Sequence, residues 1–136
     1  MSAIINIKKA AERRLATAFP TTQIAYENVK FEPPAAMYFR TQFVISPPDD
    51  PVIGDAYYRE RLQFQIFVVD KVNAGTANAY AVAEQIRALF AKATTMQEAG
   101  TNIYVLNTPQ ISGSIVASDR MVVPVIVSLI GEVFTP

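Results

Sequence analysis

Residues 121–130, Met-Val-Val-Pro-Val-Ile-Val-Ser-Leu-Ile, constrain the fold of this chain more than any other stretch. Aliphatic side chains occupy both phases of the two-residue strand repeat, so a strand built from them has to be buried on both faces. Pro124 interrupts the run. A proline cannot donate to a ladder, which argues against a fully paired central position at that residue. An edge or bulged strand whose outer face is covered by another subunit reconciles the two observations.

Two further segments alternate. In residues 37–45, Met37, Phe39, Thr41, Phe43 and Ile45 point one way, and Tyr38, Arg40, Gln42 and Val44 the other. In residues 62–69, Leu62, Phe64, Ile66 and Val68 oppose Gln63, Gln65, Phe67 and Val69. Such patterns mark half-buried antiparallel strands. Helical spacing appears twice. Ile4, Ile7, Ala11, Leu15 and Ala18 share one face of a helix over residues 4–19, with Ser2 as N-cap and Pro20 as its stop. Ala79, Val82, Ala83, Ile86, Leu89 and Phe90 share one face of a second helix, capped by Thr76 or Asn78 and running to about Ala93. A short strand is expected at residues 102–106.

The connections differ in kind. Residues 46–56 hold three prolines, three aspartates and a glycine, which reads as a long loop rather than a tight hairpin. Residues 70–75 form a turn, and a polar connection ends at Gly100. Residues 108–119 are rich in Ser, Gly and Pro and read as a loop with an extended piece at Ile115 and Val116. The summed expectation is a single α+β domain over residues 1–136 in the order α-β-β-α-β-β. Two helices pack on one face of a mostly antiparallel sheet of four or slightly more strands. The second sheet face carries Phe67 and Val69, and partial cover by another copy is expected there.

Composition narrows the chemistry. The chain has no cysteine and no histidine, which removes thiolate chemistry, the commonest general base and the commonest transition-metal ligand. Twelve basic and twelve acidic residues balance, without a long basic run, so no direct nucleic-acid readout is expected and self-association is favoured. No apolar run reaches membrane-span length, and no signal peptide is visible. The five glycines do not cluster into a phosphate loop; Ser112-Gly113-Ser114 comes nearest but lacks a following helix or lysine. Asp49 and Asp50 are adjacent in a proline-rich loop, with no accompanying base, nucleophile or calcium-loop spacing. No catalytic residue, metal site or cofactor is therefore expected.

Residues 24–34 read Ile-Ala-Tyr-Glu-Asn-Val-Lys-Phe-Glu-Pro-Pro. The two prolines hold φ near −65° and remove two donors, so the segment makes a stiff lead-in to the next strand. This aromatic-Glu-Asn, Phe, Pro-Pro run resembles the tail-terminator-like proteins of long-tailed bacteriophages. The Tyr57, Tyr58, Arg59 and Arg61 cluster at the start of the second strand resembles them too, and the likeness covers most of the chain in element order.

The resemblance implies a structural virion protein assembled in the host cytoplasm and placed at the head–tail junction. Such a subunit forms a ring, usually a hexamer, that caps the tail tube, stops its polymerisation and offers a surface for head joining. Its implied partners are copies of itself, the tail-tube protein and a head-completion protein. Loop composition and the resemblance together mark residues 46–56, 57–61 and 108–120 as contact segments, with Asp49, Asp50, Tyr57, Tyr58, Arg59, Arg61, Asp119 and Arg120 as interface residues. Tyrosine and arginine are the side chains enriched at interface hot spots. A head–tail joining or other minor tail protein is the alternative within the same assembly. A small ligand-binding or hydrolytic domain is the alternative of another class, against which the missing histidine and cysteine count.

Overall fold

The computed structural model describes residues 2–54, 56–73 and 75–134. The chain runs α1 (Ala3–Ala18), β1 (Ile24–Ala25), β2 (Tyr38–Asp49), β3 (Tyr57–Lys71), α2 (Ala77–Leu89), β4 (Thr95–Glu98), β5 (Thr101–Val105), β6 (Gln110–Ile111), β7 (Ile115–Ala117) and β8 (Arg120–Phe134). The helices and the α+β class follow the periodicities, but the sheet is larger than expected and mixed. Among the described residues it has eight strands in the order β1-β2-β3-β8-β5-β4, with β6 and β7 also on β8, and β1 runs parallel to β2. The added strands β1, β4, β6 and β7 have two to four residues each, too short for an alternating pattern to declare itself.

The aliphatic run is the spine of the sheet. β3 pairs along one side of β8 from Tyr57↔Phe134 to Lys71↔Arg120, while β5, β6 and β7 share its other side. The expected edge position is overturned, and the placement of Pro124 explains how. Pro124 lies opposite Phe67 on β3, and on the other side its carbonyl accepts a hydrogen bond from the Ser112 N–H at 2.9 Å. The N and O of one strand residue point to the same side. The missing donor thus faces the gap between β6, which reaches Val125, and β7, which starts at Val122. The proline sits where the outer partner changes, and the β3 ladder loses nothing.

One face of this sheet carries the core. Phe39 and Thr41 on β2, Leu62, Phe64, Ile66 and Val68 on β3, Val123, Val125, Val127 and Leu129 on β8, and Ile103 and Val105 on β5 are all buried on the helix side. Ile7, Ala10, Ala11 and Leu15 of α1 and Ala79, Ala83 and Ile86 of α2 close over them, with Phe90 just past the end of α2. Phe64 stacks on Phe43 at 4.5 Å between ring centroids and meets Phe90 edge-on at 5.8 Å. Burying one such ring contributes roughly 1.5–3 kcal/mol. Gly131 of β8 gives α1 room to approach: a Cβ there would lie 2.5 Å from Ile7 Cδ1.

Element ends depart from expectation for local reasons. Ser2 occupies the N-cap position of α1, but its side chain makes no capping bond. α2 stops at Leu89 rather than Ala93. Ala93 takes a positive φ of 69° and donates its N–H to the Val105 carbonyl, which turns the chain into β4. β4 and β5 then join through Ala99 and Gly100, both at positive φ, the geometry of a tight hairpin. β2 runs on through Pro47 and Pro48 with a register slip between Ser46 and Asp49, so the loop expected over residues 46–56 is partly strand. Within that loop Asp55 lies outside the described residues, as does Ala74 in the turn at 70–75.

Candidate protein interface

Register and alternation assign the residues of the second sheet face. Tyr38, Arg40, Gln42 and Val44 on β2 lie opposite Val69, Phe67, Gln65 and Gln63 on β3, which lie opposite Val122, Pro124, Ile126 and Ser128 on β8. Both helices pack on the other side. The middle of this open face is amphipathic. The Arg40 guanidinium lies 4.9 Å from the Phe67 ring centroid, Phe67 neighbours Pro124, and Gln42 Nε2 donates to Gln65 Oε1 on the adjacent strand. Val44 is exposed.

One end of the open face is closed by the chain itself. Arg120, at the start of β8, donates from Nη2 to the Pro34 carbonyl at 2.6 Å and from Nη1 to the Ala36 carbonyl at 3.4 Å. The same guanidinium lies 5.6 Å from the Tyr38 ring, which packs against Phe31. The double proline fixes φ at two successive residues and so stiffens the segment whose carbonyls meet the arginine. Val69 and Val122, the row beneath, are buried accordingly.

The Tyr-Glu-Asn part of the same segment secures the β2 edge. β1 pairs β2 only at Phe39 and Arg40. Beyond it, the Thr41 hydroxyl donates to the Ala25 carbonyl and the Phe43 N–H donates to Glu27 Oε1 at 3.1 Å. Glu27 also meets Lys8 Nζ of α1 at 3.3 Å, and that ammonium lies 5.3 Å from the Phe43 ring. Asn28 follows at a φ of 56°, a conformation asparagine tolerates, and turns the chain away. Further along, Pro47 has no N–H to offer. A free strand edge is a template for uncontrolled pairing, and here a carboxylate and a proline blunt it.

At the far end of the face lies a polar network. Tyr57 O–H donates to Glu132 Oε2 at 2.9 Å, and Tyr104 O–H donates to Glu132 Oε1 at 2.8 Å. Arg59 stands opposite Glu132 on the neighbouring strand and is ion-paired with Asp49. The two tyrosine hydroxyls, Tyr104 first, hold the Glu132 carboxyl below its usual range, with a smaller contribution from Arg59. Tyr104 is raised chiefly by that same hydrogen bond, whereas burial is the largest cause of the rise at Tyr57. A hollow of about 450 Å³ opens beside this network, lined by Arg59, Tyr104, Leu106 and Ile130. Among the described residues no three His, Cys, Asp or Glu side chains gather as metal ligands.

The structure therefore joins Asp49, Tyr57 and Arg59 in one network. Arg61 lies next along the same face, exposed, opposite Ser46 and Ile130. Tyr58 points to the other face of β3, opposite Val133. Asp50 is exposed just beyond β2. Asp119 and Arg120 lie at the opposite end of β8, twelve residues or roughly 40 Å of strand from Glu132. Asp119 is an exposed turn residue whose carbonyl accepts the Val72 N–H, and Arg120 is occupied with the proline segment. Residues 108–119 are not a free loop: Arg87 of α2 donates to the Pro109 carbonyl, and the Tyr80 hydroxyl accepts the Ser114 N–H. Sequence reasoning missed Glu132 and Tyr104. Continuing the alternation of β8 two residues past Ile130 would have placed Glu132 on the same face as Arg59.

A family model described as phage tail terminator protein matches residues 6–129. A solved structure that carries no functional name superposes with a TM-score of 0.77 at 27% identity, covering 100% of this chain and 99% of the other. No curated protein matches the chain.

Proposed function

The chain belongs to the phage tail terminator family, and on that premise we propose that it is the ring-forming subunit that closes a phage tail tube. Membership makes it a structural protein of phage tails. The finer role rests on one structural observation in support: a sheet face left uncovered by both helices, apolar at Phe67, Pro124 and Ile126 and polar at both ends. A face of that composition suits repeated contact between folded proteins better than solvent alone. In this reading copies of the chain associate head to tail into a closed, hexameric ring. One ring face matches the last ring of tube subunits, and the other refuses further subunits and receives a head-completion protein.

The network around Glu132 and the exposed residues at the loop beyond Asp49 are the contact groups this reading assigns. The clamps at Glu27 and Arg120 shape the subunit rather than touch partners. Tube subunits polymerised with and without the purified protein test the role. The expected result is tubes of unrestricted length in its absence and capped, shorter tubes carrying the protein at one end in its presence, seen by electron microscopy. Tubes that grow unchanged and carry no protein at either end would refute it. Density at the head side of the neck, with bare tube ends, would make it a joining protein instead.

A further inference from the structure

Two features complement each other: the loop between β2 and β3, and a groove against the edge strand β4. The first is the tip between β2 and β3. Ile53 is fully exposed, at 107% of its reference area, and Val52 is half exposed at 50%. Asp50 precedes them and has no cation partner among the described residues. Pro47, Pro48 and Pro51 stiffen the arm that carries them.

The second feature is a groove of about 430 Å³ between α1, the end of α2 and β4. Ala10, Leu89 and Met96 form its floor, and Arg13 and Arg14 form its rim. Arg13 is paired with Glu98 of β4, whereas Arg14 donates only to the Leu89 carbonyl and has no carboxylate partner among the described residues. Lys9, one helical turn before Arg13, adds to the field that lowers the Glu98 carboxyl, after the hydrogen bond from Arg13. The groove is thus basic over an apolar floor, and the tip is acidic before an apolar end.

We propose that the 50–54 tip of one copy seats in the α1–β4 groove of the next, with Ile53 and Val52 on the Ala10, Leu89 and Met96 floor and Asp50 against Arg14. The inference deepens the ring reading and rests on it. Tip and groove are different surfaces, so the contact is heterologous and propagates around a ring, with nothing self-complementary to stop at two copies. The stiff arm lowers the ordering cost of docking. The groove is walled by the helices, which pack on the other side of the sheet, so this contact leaves the open sheet face free for tube and head partners.

The chain has no native cysteine, which permits a direct test. Ile53→Cys and Thr17→Cys place one thiol each on the exposed tip and at the groove wall. Under mild oxidation their equimolar mixture is expected to give at least about tenfold more disulfide-linked dimer than either variant alone, as held thiols do over random collision. In a second arm, Asp50→Arg is expected to weaken self-association about tenfold, and Arg14→Glu in the same chain to restore it. No excess cross-linking in the mixture, with Asp50→Arg assembling as wild type does, overturns the tip–groove contact and leaves the ring reading standing. Wild-type protein that stays monomeric overturns the contact, and the ring reading falls with it when tube ends also gather no more than single copies.

Discussion

Adding one methyl group at Gly131 should destabilise the protein through a single contact. Gly131 lies on the helix side of β8, and an ideal Cβ there sits 2.5 Å from Ile7 Cδ1 and 2.8 Å from Ile7 Cγ1. Ordinary van der Waals contact begins near 3.4 Å, so α1 or the Ile7 side chain must retreat by nearly an ångström. Ile7 is fully buried among core side chains and has little space to turn into. Overpacking of this kind costs about 1–3 kcal/mol. The backbone term has the opposite sign: Gly→Ala at an unstrained position stabilises by about 0.4–1 kcal/mol through the unfolded chain. The net expectation for Gly131→Ala, taking the middle of both ranges, is a loss of about 1.3 kcal/mol, read as a lower urea midpoint at unchanged slope. Ile7→Ala alone should cost about 2–5 kcal/mol, and in that background Gly131→Ala should become neutral or stabilising. A Gly131→Ala variant as stable as wild type, or a double variant showing the plain sum of the two losses, would refute the argument that this glycine exists to let α1 approach.

Other expectations follow from the two clamps and the polar network. Glu27→Gln removes the charge that faces Lys8 and weakens the acceptor of the Phe43 N–H; stability should fall by about 1 kcal/mol, and amide exchange at Phe43 should accelerate, with unchanged exchange counting against the edge-blocking role. Arg120→Ala should free residues 31–36, cost about 1–3 kcal/mol and open new protease cleavage there, while Arg120→Lys should rescue only in part because one ammonium cannot serve both carbonyls in the same fork. Glu132 should titrate below an ordinary glutamate carboxyl by NMR. Because its folded pKa lies below the unfolded value, its contribution to stability is present above the unfolded pKa and is lost as pH falls through the folded one. Tyr104→Phe should move that titration back up and shrink the acid-side loss; a titration that does not move would show that the hydroxyl is not what holds it down.

Much of the molecule was written in periodicity. The spacing of Ile7, Ala11 and Leu15, and of Ala79, Ala83 and Ile86, predicts both helices and the faces they bury, and alternation predicts the inward set Phe64, Ile66 and Val68 of β3. These are local patterns whose physical cause, removal of apolar area from water, acts in the same direction at every repeat. The run at 24–34 was legible as a family fingerprint, yet its physical work was not. That Glu27 caps a sheet edge and that the Pro34 carbonyl meets Arg120 are facts about residues 16 and 86 positions apart.

What the sequence determined by itself, then, is the inventory of helices and long strands, the absence of cysteine and histidine, and the family. Tertiary structure alone decided the rest. It made the aliphatic run a central strand by setting Pro124 at the junction of β6 and β7, where its missing donor has nothing to pair with. It enlarged the sheet with strands too short to carry a pattern. It gathered Asp49, Tyr57, Arg59, Tyr104 and Glu132 into one network while parting Asp119 and Arg120 from it. Strand pairing is non-local: which residue stands opposite which depends on the register of the whole sheet, and no window of the chain holds that information.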